Sequence, residues 1–280
     1  MNGLQAKLDE ALLKEREKER VRSGMYSPHL LGRCYRAQYW NRQGIEPSNP
    51  PDTRALRVFK CGELFHRFVQ DLLPEHQAEV EATDGENFYG KADIVCEGEV
   101  IDLKSQHSKA FWWMAKSNYD ISEEKKPNIL QLMCYCWLLG KPRGRLVFIS
   151  KDDLCVNEYV FEYDKWREKL QEEIDTLKMY WEKQELPKAE PRAYGGKEGT
   201  YCSFKTKCLR MGWDCVNGKN LDKHSKLCDK KEIEDGHQPN TDREPCPNSK
   251  QVPRGRGGEV NLATGERTSE FAGSQAGPFV

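Results

Sequence analysis

Asp93, Asp102 and Lys104 lie in a stretch, Phe88 to Lys104, that has the pattern of a two-stranded hairpin. Two short runs rich in β-branched and apolar residues, Phe88 to Cys96 and Glu99 to Lys104, flank Glu97-Gly98. That is the length, and the glycine, that a two-residue hairpin loop requires. Pairing Cys96 with Glu99 sets Val95 opposite Val100, Ile94 opposite Ile101 and Asp93 opposite Asp102. Side chains alternate faces along a strand, so Asp102 and Lys104 share a face with Asp93 while Ile101 and Leu103 turn to the core. Two carboxylates facing each other across a hairpin repel. A divalent cation between them removes the repulsion, and a lysine on the same face can orient a water and help deprotonate it. This chemistry suits metal-assisted hydrolysis of a phosphodiester. Gly-x-x-Asp and Asp-x-Lys are each common on solvated strand faces; their placement on one face of one hairpin is what carries information.

Two helices add candidate partners. Gln131 and Tyr135 are four residues apart, on one helix face, where an amide and a phenol can contact a phosphate or hold the lysine. In an earlier helical run, Gly62-Glu63-Leu-Phe-His66 places an imidazole one turn from a glutamate. Taken singly, a half-buried tyrosine or a structural histidine explains each of these.

The elements that must position these residues follow from periodicity. Residues 3–22 form a charged, solvent-exposed helix with a thin apolar stripe at Leu4, Leu8, Leu12 and Leu13. Ser27-Pro28 fits an N-cap and first turn of a helix running through Tyr39. A second helix, about Asp52 to Leu73, turns Leu56, Phe59, Gly62, Phe65 and Val69 inward. A strand at Glu79–Thr83 precedes the hairpin. Helices from Phe111 and over Pro127–Leu139, strands at Leu146–Ser150 and Cys155–Tyr163, and a long helix Tyr163–Trp181 follow. Helices alternating with strands around one sheet give an α/β domain. Residues 216–280 hold almost no large apolar side chains and read as a disordered tail, leaving 1–24 as a charged N-terminal helix and 25–215 as the folded domain.

With 280 residues and a net charge of −1, the chain has no global field to attract a polyanion, so any such binding needs a local basic groove. No apolar run approaches the roughly 20 residues that span a bilayer. Eleven cysteines without a secretory signal indicate a reducing, cytoplasmic setting with free or metal-bound thiols.

Gly62-x3-His66, Gly90-x2-Asp93, Asp102-x-Lys104 and Gln131-x3-Tyr135 resemble, in order and approximate spacing, the RecB-like branch of the PD-(D/E)XK nucleases, which includes the exonuclease of CRISPR adaptation. The resemblance covers residues 25–215 and implies a restriction-endonuclease-like core, a central mixed sheet flanked by helices. It implies Mg²⁺ or Mn²⁺ held by His66, Asp93, Asp102 and the carbonyl of Leu103. Lys104 would activate the attacking water, with Gln131 and Tyr135 steadying Lys104 and the DNA backbone. The implied activity is a metal-dependent exonuclease at single-stranded DNA ends, in recombination, repair, phage replication or CRISPR adaptation, alongside the proteins of those pathways. An endonuclease cutting flaps or branched DNA is the alternative within the enzyme class. A non-catalytic DNA-binding or assembly module is the alternative outside it, disfavoured by the intact motif residues.

Many members of that branch bind a [4Fe-4S] cluster through one N-terminal and three C-terminal cysteines. Cys34, Cys202 and Cys208 resemble that layout; where the family has a further cysteine this chain has Gly199, and Cys215 is the replacement candidate. Zinc, or free thiols, are the other readings. Cys61, Cys96, Cys134, Cys136 and Cys155 read as small buried hydrophobes. Lys109 and Lys116 bracket Phe111-Trp112-Trp113, a pattern of cations and aromatics that suits a single strand, with Trp112 or Trp113 stacking and the other packed in the core.

Overall fold

The computed structural model describes residues 3–18, 23–73, 76–114, 118–214 and 219–220; Lys116, Cys215 and the expected tail beyond 220 lie outside them. Hydrophobic alternation in the central segment resolves into five strands. β1 (Gln77–Thr83), β2 (Tyr89–Cys96) and β3 (Glu99–Gln106) form an antiparallel meander. β4 (Arg143–Ser150) lies parallel to β3, and β5 (Val156–Glu162) returns antiparallel at the edge, so the order along the sheet is the order along the chain. Parallel neighbours need a crossover. Here it is α4 (Ser108–Met114), α5 (Ile121–Glu124) and α6 (Lys126–Leu138). The architecture is the expected α/β one, a mixed sheet flanked by helices.

One face of the sheet is covered by α6 and by α7 (Tyr163–Glu182), with Leu130, Leu132, Leu146, Phe148, Ile174 and Leu177 in one buried cluster. Gly144 permits this approach, because a Cβ there would stand 2.6 Å from Leu132 Cγ. The other face carries a smaller cluster of Ile94, Leu103, Val147 and Ile149, covered by Phe65 and Val69 of α3 (Thr53–Leu72). Each such buried aliphatic side chain contributes roughly 1.5–3 kcal/mol relative to exposure. The start of α3 is fixed by Asp52, whose carboxylate accepts from the Ala55 amide at 2.7 Å, an N-cap worth about 1 kcal/mol. Further along, α1 (Leu4–Lys18) packs on α3 through the Arg57–Asp9 and Lys60–Glu15 ion pairs. Phe59, expected on the inner face of α3, is 56% exposed, because it overhangs a groove instead of the sheet.

The helix expected from Ser27 through Tyr39 is two pieces. Ser27 Oγ bonds His29 Nδ1 at 2.6 Å and caps nothing, Pro28–Leu30 makes a single 3₁₀ turn, and α2 spans Tyr35–Arg42. Gly32 causes the break: its φ is 72°, and a Cβ there would lie 2.9 Å from Leu130 Cδ1 of α6. After α7 come a 3₁₀ segment, Tyr194–Tyr201, and α8 (Lys205–Arg210). Cys134 and Cys136 are buried as expected, but Cys61 and Cys96 are half-buried and Cys155 is exposed beyond the end of β4. Among the described residues no helix is long and apolar enough to cross a membrane.

Candidate metal and nucleic-acid site

The hairpin forms in the expected register at Cys96–Glu99, Val95–Val100 and Ile94–Ile101, and pairing stops there. Asp93 and Asp102 are therefore not a cross-strand pair, which corrects the sequence-based expectation. On the other side of β2, Ala78 pairs with Ile94 and Val80 with Ala92, while Glu79 and Asp93 are passed over. Glu79 has φ 52°, a left-handed conformation uncommon outside glycine. The face alternation slips at the same point, since Ala92 belongs to the core under α6 and Ile94 to the core under α3. Released from both ladders, Asp93 turns. Its carbonyl accepts from Gln70 Nε2 of α3 at 2.8 Å, and its carboxylate Oδ2 accepts from the Leu103 amide at 2.8 Å. Gln70 also reaches Glu79 Oε1 at 3.3 Å, so one α3 side chain holds both residues of the kink.

His66, one turn before Gln70 on α3, brings Nδ1 to 3.5 Å from Asp93 Oδ1. Burial works against the charged imidazole, but the Asp93 carboxylate outweighs it and raises the ring's pKa. Burial likewise works against the Asp93 carboxylate, yet His66, Lys104 and the Leu103 amide hold it below the usual carboxylate range. Asp102 is different. It is 1% exposed, and burial pushes its carboxyl up to about 6 despite the Lys104 ammonium. Lys104 Nζ stands 2.6 Å from Asp102 Oδ2, and Oδ1 has no hydrogen-bond partner. Tyr135, buried on α6 with Gln131 one turn before it, feels both carboxylates, and burial together with those charges raises its hydroxyl pKa. A Cβ on Gly90 would fall 2.8 Å from Tyr135 Oη and 3.0 Å from Pro28 Cδ, so the glycine of Gly-x-x-Asp makes room for the tyrosine.

His66, Asp93, Asp102, Lys104, Gln131 and Tyr135 thus meet where β2 departs from β3, the first from the α3 side of the sheet and the last two from the α6 side. Among the described residues no three His, Cys, Asp or Glu side chains form a ready-made metal cage. The donor set nevertheless fits a hard divalent ion: one imidazole and two carboxylates, one of which, Asp102, has a buried oxygen without a hydrogen-bond partner. Leu103 enters through its amide, which orients Asp93.

The remaining candidates lie apart. On α4 Phe111 is buried, whereas Trp112 and Trp113 are 53% and 59% exposed; the expectation that one of the two tryptophans packs in the core is not met. Lys109 is exposed on the same short helix. Cys34, Cys202 and Cys208 line one small pocket with Trp40, Phe204 and Gly199. Beside it, both oxygens of the buried Glu198 carboxylate accept from the Cys34 amide, at 2.9 and 3.0 Å. Cys34 is 6% and Cys208 2% exposed, and burial raises the Cys34 thiol pKa. Gln70 escaped sequence reasoning; its only signal was its place four residues after His66.

No family model matches this chain, and no curated protein does. Among solved structures it is similar to the crystal structure of SSO0001, with TM-score 0.51 and 20% identity over 74% of this chain and 96% of that one. An alkaline exonuclease (LHK-Exo) from Laribacter hongkongensis gives 0.45 at 13% identity over 60% of this chain and 93% of the other. LHK-Exo in complex with dAMP gives 0.39 at 14% over 58% and 90%. The first likeness extends to the fold alone, and the other two are too distant to carry a comparison of sites.

Proposed function

We propose that this chain is a Mg²⁺- or Mn²⁺-dependent deoxyribonuclease acting at single-stranded DNA ends. The observation that carries the reading is the convergence of Asp93, Asp102 and Lys104 with His66 at one break in the sheet. His66, Asp93 and Asp102, with the Leu103 carbonyl, would hold the cation, which when bound supplies Lewis-acid stabilisation of charge on the phosphoryl oxygens. Lys104 orients a water and offsets negative charge developing on phosphorus. Tyr135, kept protonated, donates to a phosphate oxygen or to the water, and Gln131 fixes its hydroxyl. Trp112 with Lys109, and Lys116 in sequence beyond them, offer a ring and cations to the strand. Cys34, Cys202 and Cys208 would supply three thiolates to an iron–sulfur cluster, with Cys215 as the fourth candidate.

Purified protein is incubated with 5′- and 3′-labelled single strands and with closed single-stranded circles, in Mn²⁺, Mg²⁺ or EDTA, beside Asp102→Ala and Lys104→Ala. Metal-dependent shortening of linear strands, lost in both variants, supports the reading. Activity in EDTA, or surviving both substitutions, overturns it. Cleavage of circles moves the assignment to an endonuclease.

A further inference from the structure

His66 and Lys104 open on a cavity of about 470 Å³ at the C-terminal ends of β3 and β4, within the range of roughly 300–1,000 Å³ usual for small-ligand sites. Its other walls are Phe59 of α3, Gln106 at the end of β3, Lys125 between α5 and α6, and Lys151 after β4. The backbone locks two of these walls together, since the Lys151 amide donates to the Gln106 carbonyl at 2.7 Å.

Three groups in this cavity lack the partners their burial calls for. Lys125 is half-buried, and among the described residues no carboxylate forms an ion pair with it; its ammonium lies 5.6 Å from the centroid of the Phe148 ring. Lys151 likewise has no ion pair among the described residues. The acid that shares the cavity, Glu63, is held by Lys60 at 2.9 Å. Gln106 Oε1 is buried without a hydrogen-bond partner. A half-buried cation that the Glu124 carboxylate influences only from beyond ion-pair distance, and a buried acceptor without a donor, each cost stability unless a ligand supplies what is missing. The same cavity is lined by an aromatic ring, Phe59, that is 56% exposed. Two cations, an orphan acceptor and a bare ring match the anionic, hydrogen-bonding and planar parts of one nucleotide.

We propose that this cavity holds the nucleotide next to the scissile phosphate of a single strand. Lys125 and Lys151 take phosphate oxygens, Phe59 stacks on the base, and Gln106 accepts a hydrogen bond from base or sugar. The choice of a single strand follows from Phe59, because every base of a single strand can offer a free face to a ring, whereas bases inside a duplex are already stacked on both faces. This assignment rests on the nuclease reading above and names the part of the substrate that the site selects.

The test is fluorescence anisotropy in EDTA, where no cleavage occurs, with a short fluorescein-labelled oligothymidylate and the same strand annealed to its complement. Phe59→Ala, and Phe59→Leu as the variant that keeps apolar bulk, weaken single-strand binding roughly 5- to 20-fold and leave duplex binding unchanged. Lys125→Gln and Lys151→Gln each weaken binding and lower the slope of log affinity against log salt by about 0.7. Lys125→Met raises the thermal midpoint of the free protein while lowering affinity, which a purely structural lysine would not do. Unchanged binding in all these variants, or equal losses for strand and duplex, overturns the assignment. In the first case metal-dependent cleavage by the wild type leaves the nuclease reading standing. A wild type that neither binds nor cuts the strand removes both.

Discussion

The Leu103 amide donates to Asp93 Oδ2 at 2.8 Å, so the carboxylate of one strand is fixed by the backbone of the strand that carries Asp102. Regular pairing would instead have set the two carboxylates side by side, with their positions dictated by the pleat. The break in the ladder lets Asp93 be aimed separately, and Gln70 maintains the break by taking the Asp93 carbonyl at 2.8 Å.

Gln70→Leu should therefore weaken Mn²⁺ binding about 10- to 100-fold, the usual effect of losing a residue that orients a ligand. Titration calorimetry on metal-stripped protein measures it. The thermal midpoint in EDTA should move by only a few degrees, because the half-buried pocket keeps its apolar contacts. Unaltered Mn²⁺ affinity would show that the kink persists without the amide.

Asp102 predicts a pH dependence of the metal-free protein. Its folded-state pKa of about 6 lies above the roughly 3.9 of an unfolded aspartate, mainly because burial penalises the charge. The proton is thus held more tightly in the folded state. Its contribution to stability is complete below about pH 4 and is lost as the pH rises through 6. Wild type in EDTA should lose about 2–3 kcal/mol by this route between pH 4 and pH 7, a loss absent from Asp102→Asn. Urea unfolding of both across that range checks the sign: the stability of the Asn variant relative to wild type must grow with pH. Saturating Mn²⁺ should raise the wild type and not the variant. Parallel pH curves would refute the shift.

Much of this was legible in the sequence because single residues dictated it. Gly98, with φ 84°, and the flanking alternation fix the hairpin turn and its first three pairs. Asp52 marks the start of α3 to the residue. The same cap logic failed at Ser27 because Gly32, five residues later, adopts a conformation dictated by α6, a contact no local pattern encodes. The slip at Asp93 was hidden for a similar reason. It depends on Glu79 in an unusual conformation, with no glycine to announce it, and on Gln70 arriving from a helix. Lys125, Lys151 and Gln106 meet only through the parallel crossover, so their spacing in the chain carries no signal.

Gly90→Ala tests whether the glycine of the motif serves the tyrosine. The added Cβ would stand 2.8 Å from Tyr135 Oη, with Pro28 at 3.0 Å behind it. Neither neighbour is free to leave, since Tyr135 is 4% exposed. Destabilisation by about 1–3 kcal/mol is expected, together with loss of activity as the hydroxyl is displaced. Combining it with Tyr135→Phe removes the nearest clashing atom, so the double variant should lose less stability than the sum of the singles. Strict additivity in urea unfolding would mean that the clash is taken up elsewhere.

The cysteine pocket yields the last expectation. Cys34 arrives at the start of α2, while Cys202 and Cys208 flank the first turns of α8, segments far apart in sequence. The buried Cys34 and Cys208 thiols, beside the aromatic rings of Trp40 and Phe204, are poor places for an isolated thiolate, because burial raises the thiol pKa, as at Cys34. Iron or zinc would reverse that penalty by pairing with the thiolates. Glu198 already ties the Cys34 amide to the 3₁₀ segment, and Cys34, Cys202 and Cys208 line one pocket with Gly199. Anaerobically purified protein should be brown, absorbing at about 400 nm, and Cys34→Ser, Cys202→Ser and Cys208→Ser should each lose the colour. Cys215→Ser decides whether that residue completes the set: retained colour points to a cluster with three protein ligands, and bleaching to four. Colourless wild type with stoichiometric zinc would replace the cluster with a single ion.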